Sequence, residues 1–210
     1  MRTKRIATVV LAALVVMAGF SVCEESSAAS SKNTLTFAQV QTAGGRGEKP
    51  VAPEKNPPGD IPDSQVFVKY TSSLGGYELQ VPEGWAQTTS GADVTFTSKL
   101  DGLSVTVLPA KGPPSADSIR ANQGQALKTT GRAVTMRTIR DVTISGEAAV
   151  LMAYECNSEP NPVTNKQVRL ENETYFFYGS GKLAALRLWA PLGADNVDQW
   201  KLISRSFRWQ

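Results

Sequence analysis

From about Val66 to the C-terminus, apolar and polar residues alternate in short runs separated by glycine or proline, the period-two pattern of half-buried strands. Val66-Phe-Val-Lys-Tyr70 and Tyr77-Glu-Leu-Gln-Val81 lie on either side of Gly75-Gly76, and Pro82-Glu-Gly-Trp85 ends the second run in a turn. Val94-Thr-Phe-Thr97 and Leu103-Ser-Val-Thr-Val107 form the next pair, and Asp101-Gly102 between them reads as a tight hairpin turn. Residues 133–144 alternate irregularly, whereas 147–156 place Val150, Met152 and Tyr154 on one face. Residues 167–178, rich in β-branched and aromatic side chains, and residues 183–190 flank Gly179-Ser-Gly181 as a second hairpin.

Two helices interrupt this pattern. Pro113-Pro114 blocks helix before Ser115, a good N-cap, and Asp117 sits in the first turn, where the helix dipole favours an anion. Ile119, Ala126 and Leu127 make a modest apolar stripe, and Gly131 ends the helix. Gly124 in its middle costs about 1 kcal/mol relative to alanine. Near the C-terminus, Asp195 reads as the cap of a second helix with Val197, Trp200 and Ile203 on one side, and Ser206-Phe-Arg-Trp209 closes the chain. Meandering strands with one helix between them and one after predict an α+β domain over residues 66–210, with a mainly antiparallel sheet flanked by helices. About 145 residues bury roughly two-thirds of their extended-chain surface, enough for a core without disulfides.

The first 65 residues follow different rules. Arg2, Lys4 and Arg5 precede an apolar run over residues 6–20 that is shorter than the about 20 residues of a typical membrane-spanning helix and has the dimensions of an export signal. Residues 1–23 therefore read as a signal peptide or membrane anchor. Cys23, just past the run, resembles the acylation site of bacterial lipoproteins; Ser21 fits that pattern, while Phe20 and Val22 depart from it. Ser27-Ala-Ala29 offers an ordinary cleavage site instead. Lipidation at Cys23, release after Ala29 and retention of an uncleaved anchor are the three outcomes the residues allow. Residues 24–65 carry five prolines between Pro50 and Pro62 and read as a flexible, partly extended tether. Within them, Thr34-Leu-Thr-Phe-Ala-Gln-Val-Gln41 alone alternates like a strand.

Composition sharpens this picture mainly by what is missing. The chain of 210 residues contains no histidine, which removes Ser-His-Asp and Cys-His catalysis, histidine bases and His-ligated metal sites. The formal charge of +3 arises in the leader, because the tether carries −2 and the domain +2, so it gives no argument for nucleic acid. Of two cysteines, Cys156 stands alone in the domain and reads as a packing residue.

Three motifs carry a family resemblance. Tyr77-Glu-Leu-Gln-Val-Pro-Glu-Gly-Trp85, Ile144-Ser-Gly-Glu-Ala-Ala149 and Asp195-Asn-Val-Asp-Gln-Trp-Lys-Leu-Ile-Ser-Arg-Ser-Phe-Arg-Trp209 resemble the PsbP-like superfamily. That group includes photosystem extrinsic proteins, a Ran-binding protein and LpqN-type actinobacterial envelope lipoproteins. The resemblance covers about residues 66–209 and implies an α/β/α sandwich with a non-enzymatic role, usually binding or stabilising another protein complex. Some members use histidine at metal sites; this chain has none, so no metal or cofactor role carries over.

The remaining polar constellations have plain explanations. Glu171 and Glu173 share one strand face, which suits a solvated surface rather than the facing acid and base of a glycosidase. Asp195 and Asp198 fit a helix N-terminus as well as a calcium site. Around Ser180 the glycines of a nucleophile elbow are replaced by Tyr178 and Lys182. Of Trp85, Trp189, Trp200 and Trp209, the first and last lie near a turn and the chain end and are the candidate partner-binding residues. Asn172-Glu-Thr174 matches a glycosylation acceptor inside a predicted strand.

These readings converge on an exported, non-catalytic binding or accessory protein of the cell envelope. It would lie at the outer face of the cytoplasmic membrane or be secreted, held to the membrane by its N-terminal anchor or lipid. Its partner would be an envelope protein complex or transporter. Two alternatives stand beside it: a carboxylate-based cell-wall glycan hydrolase and a small-ligand or lipid-binding module.

Overall fold

The computed structural model describes residues 47–210. The signal, Cys23 and the first part of the tether lie outside the described residues. Ten strands and three helical pieces follow in the order β1 (Phe67–Ser72), β2 (Tyr77–Pro82), β3 (Ala86–Ser90), β4 (Asp93–Ser98), β5 (Asp101–Pro109), α1 (Ala116–Ile119), α2 (Gln125–Thr130), β6 (Thr135–Ile144), β7 (Glu147–Asn157), β8 (Arg169–Gly179), β9 (Lys182–Pro191), α3 (Val197–Ser206) and β10 (Arg208–Trp209). A π-helical turn, Arg120–Gly124, joins α1 to α2.

Seven strands form one antiparallel sheet in the order β3-β4-β5-β9-β8-β7-β6, and β1-β2-β10 form a second, smaller one. Strand alternation splits the large sheet into two apolar faces. On one face Leu103, Val105, Leu151, Tyr175, Phe177, Leu186 and Leu188 pack against β2 and α3 through Tyr77, Leu79, Trp200, Ile203 and Phe207. Phe207 is the hub, stacked on Phe177 at 4.5 Å and on Tyr77 at 5.7 Å. On the other face Val150, Met152, Tyr154 and Phe176 pack under Ile119 and Leu127 of α1 and α2. Helices thus cover both faces of a mainly antiparallel sheet, as the α+β reading expected.

Local chemistry explains most of these elements, and corrects several expectations. Ser115 does cap α1: its Oγ accepts from the Ser118 N–H at 3.2 Å, while Ser118 Oγ accepts from the Ser115 N–H at 2.9 Å. Gly124, an apparent weakness, faces the sheet where a Cβ would press on Ile139 at 3.1 Å, and the π-helical turn accommodates that close approach. Ser145-Gly146 and Ser180-Gly181 both take positive φ, as two-residue hairpin loops require.

Asp101-Gly102 is not a turn. The reversal is made by Lys99-Leu100, with Ser98 opposite Asp101, and Gly102 lies within β5 opposite Trp189. A side chain at 102 would occupy the space of the Trp189 ring, so the glycine serves packing rather than reversal.

Asp195 is not the cap of α3 either. Asn196 holds that position, and Val197, expected in the buried stripe, is 58% exposed; Gln199, Trp200, Ile203 and Ser204 form the buried side. Asn196 makes no side-chain capping bond because its amide is used elsewhere. Its Oδ1 accepts from Ile61 N–H at 2.7 Å and its Nδ2 donates to Gly59 O at 2.8 Å.

Residues 48–61, expected within a flexible tether, therefore lie fastened to the domain as a strap. Ile61 is buried in the first core, and Gln199 donates to its carbonyl at 3.1 Å. At the other end Asn157 Nδ2 donates to Glu48 at 2.7 Å and Asn157 Oδ1 accepts from Val51 N–H at 3.1 Å. Prolines suit this segment because it needs few backbone donors of its own.

Candidate functional site: a tryptophan–arginine cleft

Arg187 and Trp189 are two residues apart on β9 and so project from the same face of the sheet, the one covered farther along by α1 and α2. Trp189 lies over Gly102 of β5 on one side and is opposite Asn172 of β8 on the other. The Arg187 guanidinium stands 4.7 Å from the centre of the Trp189 ring, a cation–π contact. Two bonds hold it there: Nε and Nη2 both donate to Asn172 Oδ1, at 3.0 and 2.7 Å. Asn172 in turn donates to Cys156 Sγ at 3.4 Å.

Arg187, Trp189 and Cys156 floor a cleft of about 550 Å³. Leu170 and Val168 add apolar floor, the Lys99-Leu100 turn makes one wall, residues 158–166 the opposite wall, and Glu54 of the strap reaches the rim. The loop wall is built by its own hydrogen bonds: Ser158 N–H donates to Val168 O at 2.8 Å, Val168 N–H donates to Ser158 Oγ at 2.9 Å, and Gln167 Nε2 donates to Ser158 O at 3.0 Å.

Beneath the loop, buried charges are paired. Arg169, 2% exposed, donates from Nη1 to Ala133 O at 2.7 Å and from Nη2 to Thr135 Oγ1 at 2.8 Å, with longer contacts to Glu155 at 3.4 Å. Glu155 also accepts from Arg137 Nε at 2.7 Å. Such a network fixes the end of the sheet, since a buried arginine without partners would be strongly destabilising.

The cleft is equipped for recognition. It offers an aromatic surface, a positioned guanidinium and lysines at its walls. Cys156 is buried, and burial pushes its thiol above the usual range, the opposite of what a reactive thiolate needs. The expected packing role is thus its position in the structure.

The other singled-out residues lie elsewhere. Trp85 and Trp209 are half-buried against the core on the opposite face of the sheet, with Trp209 lying over Gly179. Glu171 and Glu173 are half-buried on that opposite face too, not solvated: Glu173 accepts from Tyr175 OH at 2.6 Å, and burial pushes Glu171 up. Asp198 pairs with Lys201 at 3.0 Å, and Asp195 N–H donates to Asp60 at 2.9 Å. No group of three or more potential metal ligands occurs among the described residues.

From sequence alone Trp189 reads as core and Arg187 carries no signal of its own. The usable signal was their spacing of two on a strand, which places a cation beside an aromatic ring.

Comparison with known proteins adds the architecture. No family model matches the chain, and no curated protein matches it in sequence. Among solved structures, cyanobacterial PsbP from Synechocystis is similar at a TM-score of 0.50, with 17% identity over 73% of this chain and 99% of that one. The chain has a PsbP-like fold. That likeness shows the fold alone. LpqN of Mycobacterium tuberculosis, described as involved in cell envelope biogenesis, matches at a TM-score of 0.38, with 14% identity over 69% of this chain and 84% of that one. A protein from Bacteroides thetaiotaomicron matches at 0.47, with 10% identity over 68% of this chain and 48% of that one.

Proposed function

We propose that this PsbP-like chain is an exported, non-catalytic binding or accessory protein of the cell envelope, and that the cleft over Trp189 and Arg187 is its recognition surface. The observation that carries the reading is the Asn172–Arg187–Trp189 arrangement, which fixes a cation and a ring in an open cleft before any partner arrives. Preorganised aromatic and arginine side chains are the groups that dominate binding energy at interfaces. The basic, apolar leader supports delivery to the envelope. The alternative of a carboxylate hydrolase is less well supported, because Glu171 and Glu173 lie on the other face of the sheet and Glu159 at the cleft is engaged by Arg132 at 3.6 Å.

Affinity capture from intact envelopes tests the proposal. The wild-type chain should recover one reproducible envelope component, and Trp189→Ala should lose it while keeping the wild-type circular-dichroism spectrum. Recovery of that partner undiminished by Trp189→Ala, or no reproducible partner, would contradict the reading.

A further inference from the structure

Three cations line the cleft: Arg187 on its floor, Lys99 on the hairpin wall and Lys166 on the loop wall. Two carboxylates share it, Glu54 at the rim and Glu159, and the latter is already engaged by Arg132 at 3.6 Å. Lys99 and Lys166 are exposed, and each is carried by a backbone segment reversing direction, so both can close on a group placed between the walls. Beside Arg187 the floor carries Leu170, Val168 and the Trp189 ring, and Leu100 adds an apolar side chain to one wall. Cations on the walls and floor, set beside apolar side chains, match a ligand that has both charge and hydrocarbon. A free inorganic anion would leave the apolar side chains unmatched, and a neutral apolar molecule would make no use of the two exposed lysines.

We propose that this cleft binds a small anionic amphiphile, with a phosphate or carboxylate headgroup met by Lys99, Lys166 and Arg187 and a short aliphatic body laid on Leu100, Leu170 and Trp189. This assignment rests on the reading of the cleft as the recognition surface, and names its ligand. It asks of Arg187 only its charge and its place; Asn172 sets the place.

The full chain, held in a neutral sugar-headgroup detergent, is titrated with octyl phosphate, octanoate, octanol and inorganic phosphate. The indole N–H resonance of Trp189, assigned by its loss in Trp189→Phe, is followed. Octyl phosphate or octanoate should shift it saturably, at least about tenfold more tightly than octanol or inorganic phosphate. Lys99→Gln combined with Lys166→Gln should weaken that binding by about tenfold without altering the fold, because both side chains are exposed. Arg187→Gln should weaken it further. Equal response to octanol, equal response to inorganic phosphate, indifference to the lysine changes, or no response to any probe would each overturn the proposal. Envelope capture that still depends on Trp189 in such a case would leave the recognition surface standing and remove only its ligand.

Discussion

Asn196, 2% exposed, binds the backbone of the strap twice, accepting from Ile61 N–H at 2.7 Å and donating to Gly59 O at 2.8 Å. One side chain at the start of α3 thereby fastens a segment some 135 residues earlier in the sequence. The strap continues from there to Glu54 at the cleft rim and to Glu48 beside Asn157.

Replacing Asn196 with alanine leaves a buried N–H and a carbonyl unpaired, at a cost of about 1–3 kcal/mol. Urea denaturation should show that loss, and limited proteolysis should cut between residues 50 and 60 sooner than in the wild type. Unchanged stability and unchanged cutting would mean the strap is not held by Asn196.

Gly102 is tied to Trp189 by close packing. Gly102→Ala forces the indole off β5, and overpacking of this kind costs about 1–3 kcal/mol. Trp189→Leu in the same chain should recover part of the loss. A Gly102→Ala variant as stable as the wild type would contradict the packing described.

Asp101 supplies a pH dependence. Its side chain is buried, Oδ1 has no hydrogen-bond partner, and burial, reinforced by Asp60, raises its pKa to about 7, with Lys99 opposing. The folded chain therefore holds a proton that the unfolded chain releases near the ordinary aspartate pKa. Its contribution to stability is greatest in acid and falls as pH rises towards and through 7. Melting temperatures at pH 5.5 and pH 8 should differ more for the wild type than for Asp101→Asn, which should be the more stable of the two at pH 8. Identical pH slopes would exclude this role.

Arg169→Ala strands Ala133 O and Thr135 Oγ1 at the base of the loop wall, while Glu155 keeps its pairing with Arg137. Each buried acceptor left unpaired costs about 1–3 kcal/mol. Chemical denaturation should register a loss of that size, whereas Arg137→Ala, whose side chain is 60% exposed, should register much less.

How far the sequence could be read follows from the physical signal each element emits. Strands β7, β8 and β9 were legible because their alternation is enforced by two apolar faces. Strand β3, Ala-Gln-Thr-Thr-Ser, is exposed at every position at the sheet edge and so carries no alternation to read. Asp101-Gly102 misled because the same dipeptide suits a turn and a strand glycine under a tryptophan. The strap looked like linker because its anchors, Asn157, Asn196 and Gln199, are supplied by distant residues. The cleft was hidden for the same reason: Arg187 acquires its place only once β8 brings Asn172 beside it.

If the cleft over Trp189 and Arg187 is where this protein meets its partner, contacts made in the cell map to its walls. A photocrosslinking side chain at Thr164, on the cleft wall, tests it most directly in intact cells, with the same probe at Thr88 of the exposed β3 edge as comparison. The expected result is a discrete adduct from position 164 that disappears in the Lys99→Gln, Lys166→Gln background and is absent from position 88. Adducts from position 88 alone, or a position-164 adduct indifferent to the lysines, would contradict it.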